Sequence, residues 1–323
     1  MYLVTGCAGF IGFNTCELLL KKNKQVIGID SLNIYYSQAY KLKRLSILKK
    51  NKKFEFHKFN LCDSNKLKEL FKNNKITHVV HLAAQPGVVY SYKNPKSYSY
   101  NNVLATKSLI KILKIYEPSN FIFSSSSSVY GDHKKFPIKE NFKFRPKNHY
   151  AKTKVKCEKL IKTELKNTNI SIKIIRPFTV YGPYGRPDML IIKMLSLIDK
   201  SKTLQIYNYG KHLRDFTYIY DLVNIIYLLT KKVDLKIQTF NICASKPIEI
   251  NSILTLTKKY LKKDFKIDFL RKRKGEMNIT YGSNKKLLDY INCKKFTSIE
   301  DGIKQTIKWY KKFPQKKLFT TYK

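Results

Sequence analysis

Thr5-Gly6-Cys7-Ala8-Gly9-Phe10-Ile11-Gly12 decides how the rest of this chain is read. Apolar residues 2–5 precede it, and apolar positions at helical spacing follow over 10–22 before Lys21-Lys22 close them. The turn therefore joins a strand to a helix. Gly6 suits the tight turn, Gly9 lets the backbone approach a ligand closely, and Gly12 lets helix pack on sheet. The helix N-terminus would then face a pyrophosphate. Asp30 ends the next apolar run, 18 residues beyond Gly12. A carboxylate there accepts hydrogen bonds from ribose hydroxyls and repels a 2′-phosphate, so NAD is the expected cofactor in preference to NADP.

Working outward, strands and helices alternate. Apolar runs at 25–30, 54–59, 78–82, 120–124, 171–175 and 238–242 are separated or followed by helical patterns near 37–50, 64–72, 98–115, 149–167 and 220–231. Such alternation predicts an α/β fold of the Rossmann type, a doubly wound parallel sheet covered on both faces. The Gly-, Pro- and Tyr-rich stretch 178–219 interrupts the rhythm, and 247–323 does not resume it. We expect residues 1–177 and 220–246 to form an NAD-binding domain, with 178–219 and 247–323 as a smaller, interleaved C-terminal substrate lobe.

The 323 residues include 64 Lys plus Arg against 22 Asp plus Glu, a formal net charge of +42. A basic chain invites a nucleic-acid reading. Yet only seven of the 64 are Arg, the residue that reads bases and phosphates bidentately, and the lysines run from end to end. Solvated surface is the better account, with no nucleic-acid partner expected. No apolar run approaches the roughly 18 residues of a membrane span, and Tyr2-Leu3-Val4 reads as a strand instead of a basic leader. The six cysteines are scattered without a Cys-x-x-Cys pair. No metal site and no disulfide framework is expected, but free thiols in a cytoplasmic protein without a membrane anchor.

Ser124 to Ser128 end the run 120–123, at the carboxyl edge of the sheet where ligands of such folds bind. Downstream, Tyr150-Ala-Lys-Thr-Lys154 puts a phenol and an ammonium on one face of a helix. The spacing alone says little, because seven of the 23 tyrosines have Lys four residues later. Placement singles out Tyr150: it follows the serine run and opens the helix leading to strand 171–175. Oxidising a secondary alcohol with NAD requires a base for the hydroxyl proton. A phenol with a pKa near 10 serves when a neighbouring lysine and the positive nicotinamide favour the phenolate, while serine hydroxyls orient the reacting oxygen.

With these residues in place, the chain resembles the extended short-chain dehydrogenase/reductase family, and within it the NAD-dependent nucleotide-sugar epimerases and dehydratases. Residues 5–12, Gly28-Ile-Asp-Ser-Leu-Asn33-Ile-Tyr-Tyr36, His81-Leu-Ala-Ala-Gln85-Pro-Gly87, Ser125-Ser-Ser-Ser-Val-Tyr-Gly131, Tyr150 to Lys154 and Arg214-Asp-Phe-Thr-Tyr218 occur in the family's order. Phe178-Thr-Val-Tyr-Gly-Pro-Tyr-Gly-Arg-Pro-Asp-Met189 looks most like the UDP-glucuronate 4-epimerases. The resemblance implies an isomerase that inverts C4 of a UDP-hexose, UDP-glucuronate to UDP-galacturonate, through a 4-keto sugar, in polysaccharide biosynthesis. Catalysis would fall to Tyr150, Lys154 and Ser126, with Ser127 and Ser128 in support. Implied cofactor contacts are Gly6, Gly9, Phe10, Ile11, Gly12, Asp30, Asn33, Leu61, Leu82, Ala83, Ala84, Asn102, Tyr150 and Lys154. Arg214, Arg273 and Glu276 would grip the UDP moiety, and Thr179 and Arg186 a C6 carboxylate. The family also implies a homodimer through the helices 98–115 and 149–167.

Three positions depart from the pattern. Val89 stands where the glucuronate enzymes carry Arg, which removes an expected cation near the substrate. Asn60 replaces an Asp that meets adenine, and Tyr220 replaces the first acid of a paired ending while Asp221 is kept. Dehydratases and decarboxylases share the fold and the Tyr-Lys pair but place an acid in the segment held here by Ser127-Ser128, so epimerisation ranks first. A 4-epimerase of UDP-glucose or UDP-N-acetylglucosamine, a dehydratase or decarboxylase, and a non-catalytic NAD-binding or nucleic-acid-binding protein remain as alternatives.

Overall fold

A computed structural model describes residues 1–272, 277–292 and 295–320. In chain order its strands are β1 (Tyr2–Thr5), β2 (Val26–Ile29), β3 (Phe54–His57), β4 (His78–His81), β5 (Asn120–Ser124) and β6 (Ser171–Pro177). They continue with β7 (Thr179–Tyr181), β8 (Leu204–Tyr207), β9 (Leu213–Tyr218), β10 (Gln238–Ile242), β11 (Pro247–Glu249), β12 (Ile267–Leu270) and β13 (Ile279–Thr280).

A seven-stranded sheet in the order β10-β6-β5-β4-β1-β2-β3 has every neighbouring pair parallel. This is the doubly wound arrangement expected from the alternation. Strands β1, β2, β5 and β6 are buried along their whole length, as a sheet covered on both faces requires. On one face Leu3, Val79, Phe121 and Ile172 meet Leu109, Leu113 and Ile161 of the helices Ala105–Tyr116 and His149–Glu164. On the other, Val4, Ile122 and Phe240 share one cluster with Leu222 and Ile226 of the helix Ile219–Thr230. That cluster runs on without a break to Ile191, Ile253, Ile303 and Ile307, so the later segments are welded to the sheet by a common core.

Those later segments build two small sheets. Strand β9 is flanked by β11, β13 and β7, while β8 pairs with β12. The order of the large sheet reverses between β1 and β4, and crevices at such a reversal are where doubly wound folds bind ligands. The glycine turn leaves β1 on one side of the crevice and Leu82-Ala83-Ala84 leave β4 on the other. A Cβ at Gly6, whose φ is +73°, would lie 2.8 Å from the Ala83 nitrogen. Only glycine lets the two walls come this close.

Candidate active site

A cavity of about 410 Å³ opens in this crevice. Gly6, Gly9, Phe10, Ile11 and Gly12 bound it on one side, with Asp30, Asn33, Leu61, Leu82, Ala83 and Ala84 nearby. Ser126, Ser127, Ser128, Tyr150, Lys154, Thr179 and Arg186 complete the set, so eighteen expected residues, about 180 positions apart at the extremes, line one cavity.

The turn is shaped for a dinucleotide by its own atoms. The helix Phe10–Lys21 starts from Gly9 with no side-chain cap and no acid in its first turn. Its leading N–H groups are left to a ligand, and the dipole favours an anion there. A Cβ at Gly12 would come within 2.0 Å of the Gly6 carbonyl oxygen, which makes this the tightest point of the turn. Asp30 accepts from the amide of Ala8 at 3.0 Å and of Leu32 at 2.8 Å, one bond on each oxygen. The remaining lone pairs border the cavity, a pattern that suits ribose hydroxyls. NAD fits the residues present: an uncapped helix end, an immobilised carboxylate and apolar walls from Leu61, Leu82 and Ala83.

Beneath these walls lies a neutral histidine. The Thr5 hydroxyl accepts from the amides of Leu82 and Ala83, so its own hydrogen goes to His81 Nδ1 at 2.7 Å. Nε2 then carries the proton and donates to Thr106 Oγ1 at 3.0 Å. Burial, aided by the charge of Lys154, pushes the His81 pKa down to about 3. The ring ties the start of the glycine turn to the opposite wall without bringing in a charge.

Tyr150 and Lys154 come from the first turns of the helix His149–Glu164, capped by Asn148, whose side chain accepts from the Ala151 amide. Lys154 is buried, donates to the Ser124 carbonyl at 2.7 Å and stands 4.9 Å over the Phe123 ring. Its ammonium is thus fixed at the end of β5, beside the serine run. Ser126 caps a short turn at 127–129, accepting from the Ser128 amide at 3.2 Å and donating to Ser128 Oγ at 3.1 Å. Ser125 Oγ is buried with no partner among the described residues and lines the same cavity. Further along the helix, Glu158 holds Arg176 of β6 through two bonds of 2.9 and 2.6 Å, and Arg176 donates to the Tyr130 hydroxyl at 2.7 Å. This fully buried pair locks the helix, β6 and the segment after the serines together.

Not every expected residue reaches the cavity. Asn102 lies beneath it: its amide oxygen accepts from Gln85 N at 2.7 Å and its nitrogen donates to Thr153 Oγ1 at 2.9 Å. It braces the Gln85 loop against the Tyr150 helix, and Asn101 occupies the wall instead. The π-type turn Ser99–Leu104 advances the chain here, which helical spacing does not reveal. Arg214 also stands outside the lining, donating to the carbonyls of Leu213, Met277 and Asn278. Arg273 and Glu276 lie outside the described residues. Val89 borders a neighbouring cavity of about 560 Å³, while Val88 beside it lines the first. Asn60 lines the main cavity, but its amide oxygen already accepts from Cys62 N at 2.9 Å.

Two cations escaped the sequence reading. Lys41 is buried in the cavity wall, donating to the carbonyl and side-chain oxygens of Asn33 at 2.6 and 2.7 Å. Burial outweighs the nearby Asp30 and pushes its pKa down to about 8. Arg44 is fully buried with no carboxylate partner among the described residues. It donates to Ala8 O at 2.9 Å, Tyr36 Oη at 2.6 Å and Tyr184 O at 2.6 Å, and its guanidinium sits 4.0 Å over the Tyr40 ring. It joins the glycine turn to the segment before Arg186. A lysine-rich helix with regular spacing carries no mark by which either residue could be found.

Residues 2–243 match the model of the NAD dependent epimerase/dehydratase family. The chain is 36% identical over 312 residues to a UDP-glucuronate 4-epimerase of Thermodesulfobacterium geofontis, covering 96% of each. It is 33% identical to UDP-glucuronate 4-epimerase 4 of Arabidopsis thaliana over 326 residues, 95% of this chain and 74% of that protein. Among solved structures, UDP-glucuronic acid 4-epimerase from Bacillus cereus, in complex with UDP-glucuronic acid and NAD, superposes with a TM-score of 0.90 at 32% identity. That likeness covers 96% of this chain and 98% of the other.

Proposed function

The chain belongs to the NAD-dependent epimerase/dehydratase family, and on that premise we propose that it inverts C4 of a UDP-hexose, interconverting UDP-glucuronate and UDP-galacturonate. One observation carries the choice of reaction within the family. Asp30 is the only carboxylate among the described residues lining the cavity, and the amides of Ala8 and Leu32 hold it at the glycine turn. Loss of water or of carbon dioxide calls for an acid or base beyond the tyrosine. Here the remaining polar groups are hydroxyls, amides and cations, which suffices for moving one proton off and back on to the same oxygen.

The roles follow from placement. Tyr150 takes the proton of the substrate 4-hydroxyl and later returns it. Lys154, one helical turn from Tyr150 and fixed by the Ser124 carbonyl of β5, favours the phenolate that must form. Ser126 offers its hydroxyl to the 4-oxygen, with Ser127 and Ser128 holding the turn behind it. NAD, when bound, accepts the C4 hydride and gives it back, so the reaction needs no outside oxidant. Gly9 to Gly12 would hold its pyrophosphate and Asp30 its adenosine ribose, with Leu82 to Ala84 as an apolar wall of the same cavity. Thr179 and Arg186 supply a hydroxyl and a cation for the C6 carboxylate, and Arg214 would serve the UDP moiety from outside the lining, a role we extend to Arg273 and Glu276.

We assign residues 1–177 and 220–246 to the cofactor and 178–219 with 247–323 to the nucleotide sugar. Exposed Tyr100 and Leu104 beside the helices Ala105–Tyr116 and His149–Glu164 support pairing of two copies through that face. No helix among the described residues is long and apolar enough to cross a membrane. A cytoplasmic setting, with the uronate product passing to polysaccharide synthesis, completes the reading.

Purified protein incubated with UDP-glucuronate, UDP-glucose and UDP-N-acetylglucosamine in turn, followed by proton NMR, tests it. Appearance of UDP-galacturonate is the expected result. Inversion of the neutral sugars alone would remove the uronate assignment, and no C4 inversion of any of them would remove the epimerase.

A further inference from the structure

Arg186 does not stand alone in the cavity wall. Its Nε donates to Asp188 Oδ1 at 2.9 Å and its Nη2 to Asp188 Oδ2 at 2.8 Å, a two-pronged pair. The Tyr35 hydroxyl donates to the same Oδ2 at 3.2 Å from a loop more than 150 residues away in sequence. The three side chains form a partition. Arg186 lines the main cavity, Asp188 lines only the neighbouring one, and Tyr35 borders both. Nη1 of Arg186 is the nitrogen left without a hydrogen-bond partner among the described residues.

The partition is built on fixed backbone. Gly87, at φ +97°, leaves the space the Tyr35 hydroxyl needs, since a Cβ there would lie 2.1 Å from it. On the other side, Arg44 grips the Tyr184 carbonyl just ahead of Arg186. Burial alone would raise the Asp188 carboxyl, yet Arg186 and the Tyr35 hydroxyl hold it below the usual range, so it stays ionised at neutral pH. A guanidinium clamped at two nitrogens by a carboxylate behind it has one orientation left.

We propose that Asp188, seconded by Tyr35, is a positioning residue for carboxylate recognition: it presents Nη1 of Arg186 to the C6 carboxylate of the substrate. This rests on the reading of a uronate substrate. An alternative geometry, in which Asp188 competes with the substrate for Arg186, predicts the opposite sign and is excluded or chosen by the same experiment.

Steady-state kinetics of the NAD-loaded enzyme with UDP-glucuronate and with UDP-glucose, for the wild type, Asp188→Asn, Tyr35→Phe, Arg186→Gln and the Asp188→Asn/Arg186→Gln double variant, make the test. Thermal melts and bound-NAD content accompany each protein. Asp188→Asn should raise KM for UDP-glucuronate about tenfold with kcat changed less than about twofold, and Tyr35→Phe should raise it about threefold. KM for UDP-glucose should move less than twofold. In the Arg186→Gln background, Asp188→Asn should add nothing. A lowered KM for UDP-glucuronate, an equal rise for both sugars, or a full Asp188→Asn effect without Arg186 would each overturn the positioning role. Wild-type enzyme inactive on UDP-glucuronate but active on UDP-glucose would instead overturn the uronate reading, and the positioning role with it.

Discussion

The turn Gly6–Gly12 and the arm Phe178–Met189 bound one cavity, but they are held in different ways. At the turn the constraints fall on backbone: Gly12 lies against the Gly6 carbonyl and Gly6 against Ala83, and the Asp30 carboxylate accepts from the amides of Ala8 and Leu32. In the arm they are side chain on side chain or side chain on carbonyl, through Arg186, Asp188, Tyr35 and Arg44. Backbone contacts leave no room for a changed side chain, whereas side-chain pairs can be exchanged one at a time. The cofactor end of the cavity is therefore rigidly specified, and the substrate end can be tuned by substitution.

The harshest way to break this contrast is Gly12→Ala. A methyl 2.0 Å from a backbone oxygen cannot be relieved by a rotamer, so the turn must shift. We expect a loss of more than about 3 kcal/mol in stability, above the usual range for overpacking, and loss of bound NAD. Denaturant unfolding and the cofactor absorbance of the purified protein measure both, and a variant with wild-type values would show the turn to be adaptable. Tyr150→Phe sharpens the contrast from the middle of the cavity. It touches neither clamp, so the protein should melt as the wild type does and keep its NAD, while kcat falls by about two to four orders of magnitude. Near-full turnover would take Tyr150 out of the mechanism.

A smaller effect separates the two regions by sign. His81, under the turn, has its pKa pushed down to about 3 by burial and Lys154, against about 6.5 in the unfolded chain. Its contribution to stability is present above pH 6.5 and lost as pH falls towards 3. Asp215 lies on β9, which pairs with β7 of the arm, and burial raises its pKa to about 7 against the pull of backbone amides such as that of Gly282. Its contribution is present below about pH 4 and lost as pH rises to 7. The penalty of His81→Gln should thus shrink on acidification from pH 7 to 4, and that of Asp215→Asn should shrink on going the other way. Unfolding free energies at three pH values decide it, and parallel trends in the two variants would contradict the assignment.

The same contrast explains what could be read from the sequence. Backbone constraints leave local marks, so the glycine spacing, Asp30 and the alternation of β1 to β6 with helices were all legible. Tyr150 was legible only by its place after the serine run, since its spacing to Lys154 recurs by chance. The arm's clamps join residues some 140 to 150 positions apart, Arg44 with Tyr184 and Tyr35 with Asp188, and no pattern along the chain announces them. Lys41 disappears among lysines that are mostly solvated, and no pattern along the chain shows that Asn102, in the π-type turn at 99–104, bonds Thr153 beneath the wall. The +42 charge, prominent in the composition, contributes one buried lysine, Lys154, to the proposed chemistry.

On this mechanism C4 is oxidised and reduced within one cavity, with Tyr150 handling the proton. UDP-glucuronate carrying deuterium at C4, converted in ordinary water, tests it most directly. UDP-galacturonate that retains the deuterium at C4 is the expected product, and product with the label exchanged for solvent hydrogen would contradict internal hydride return.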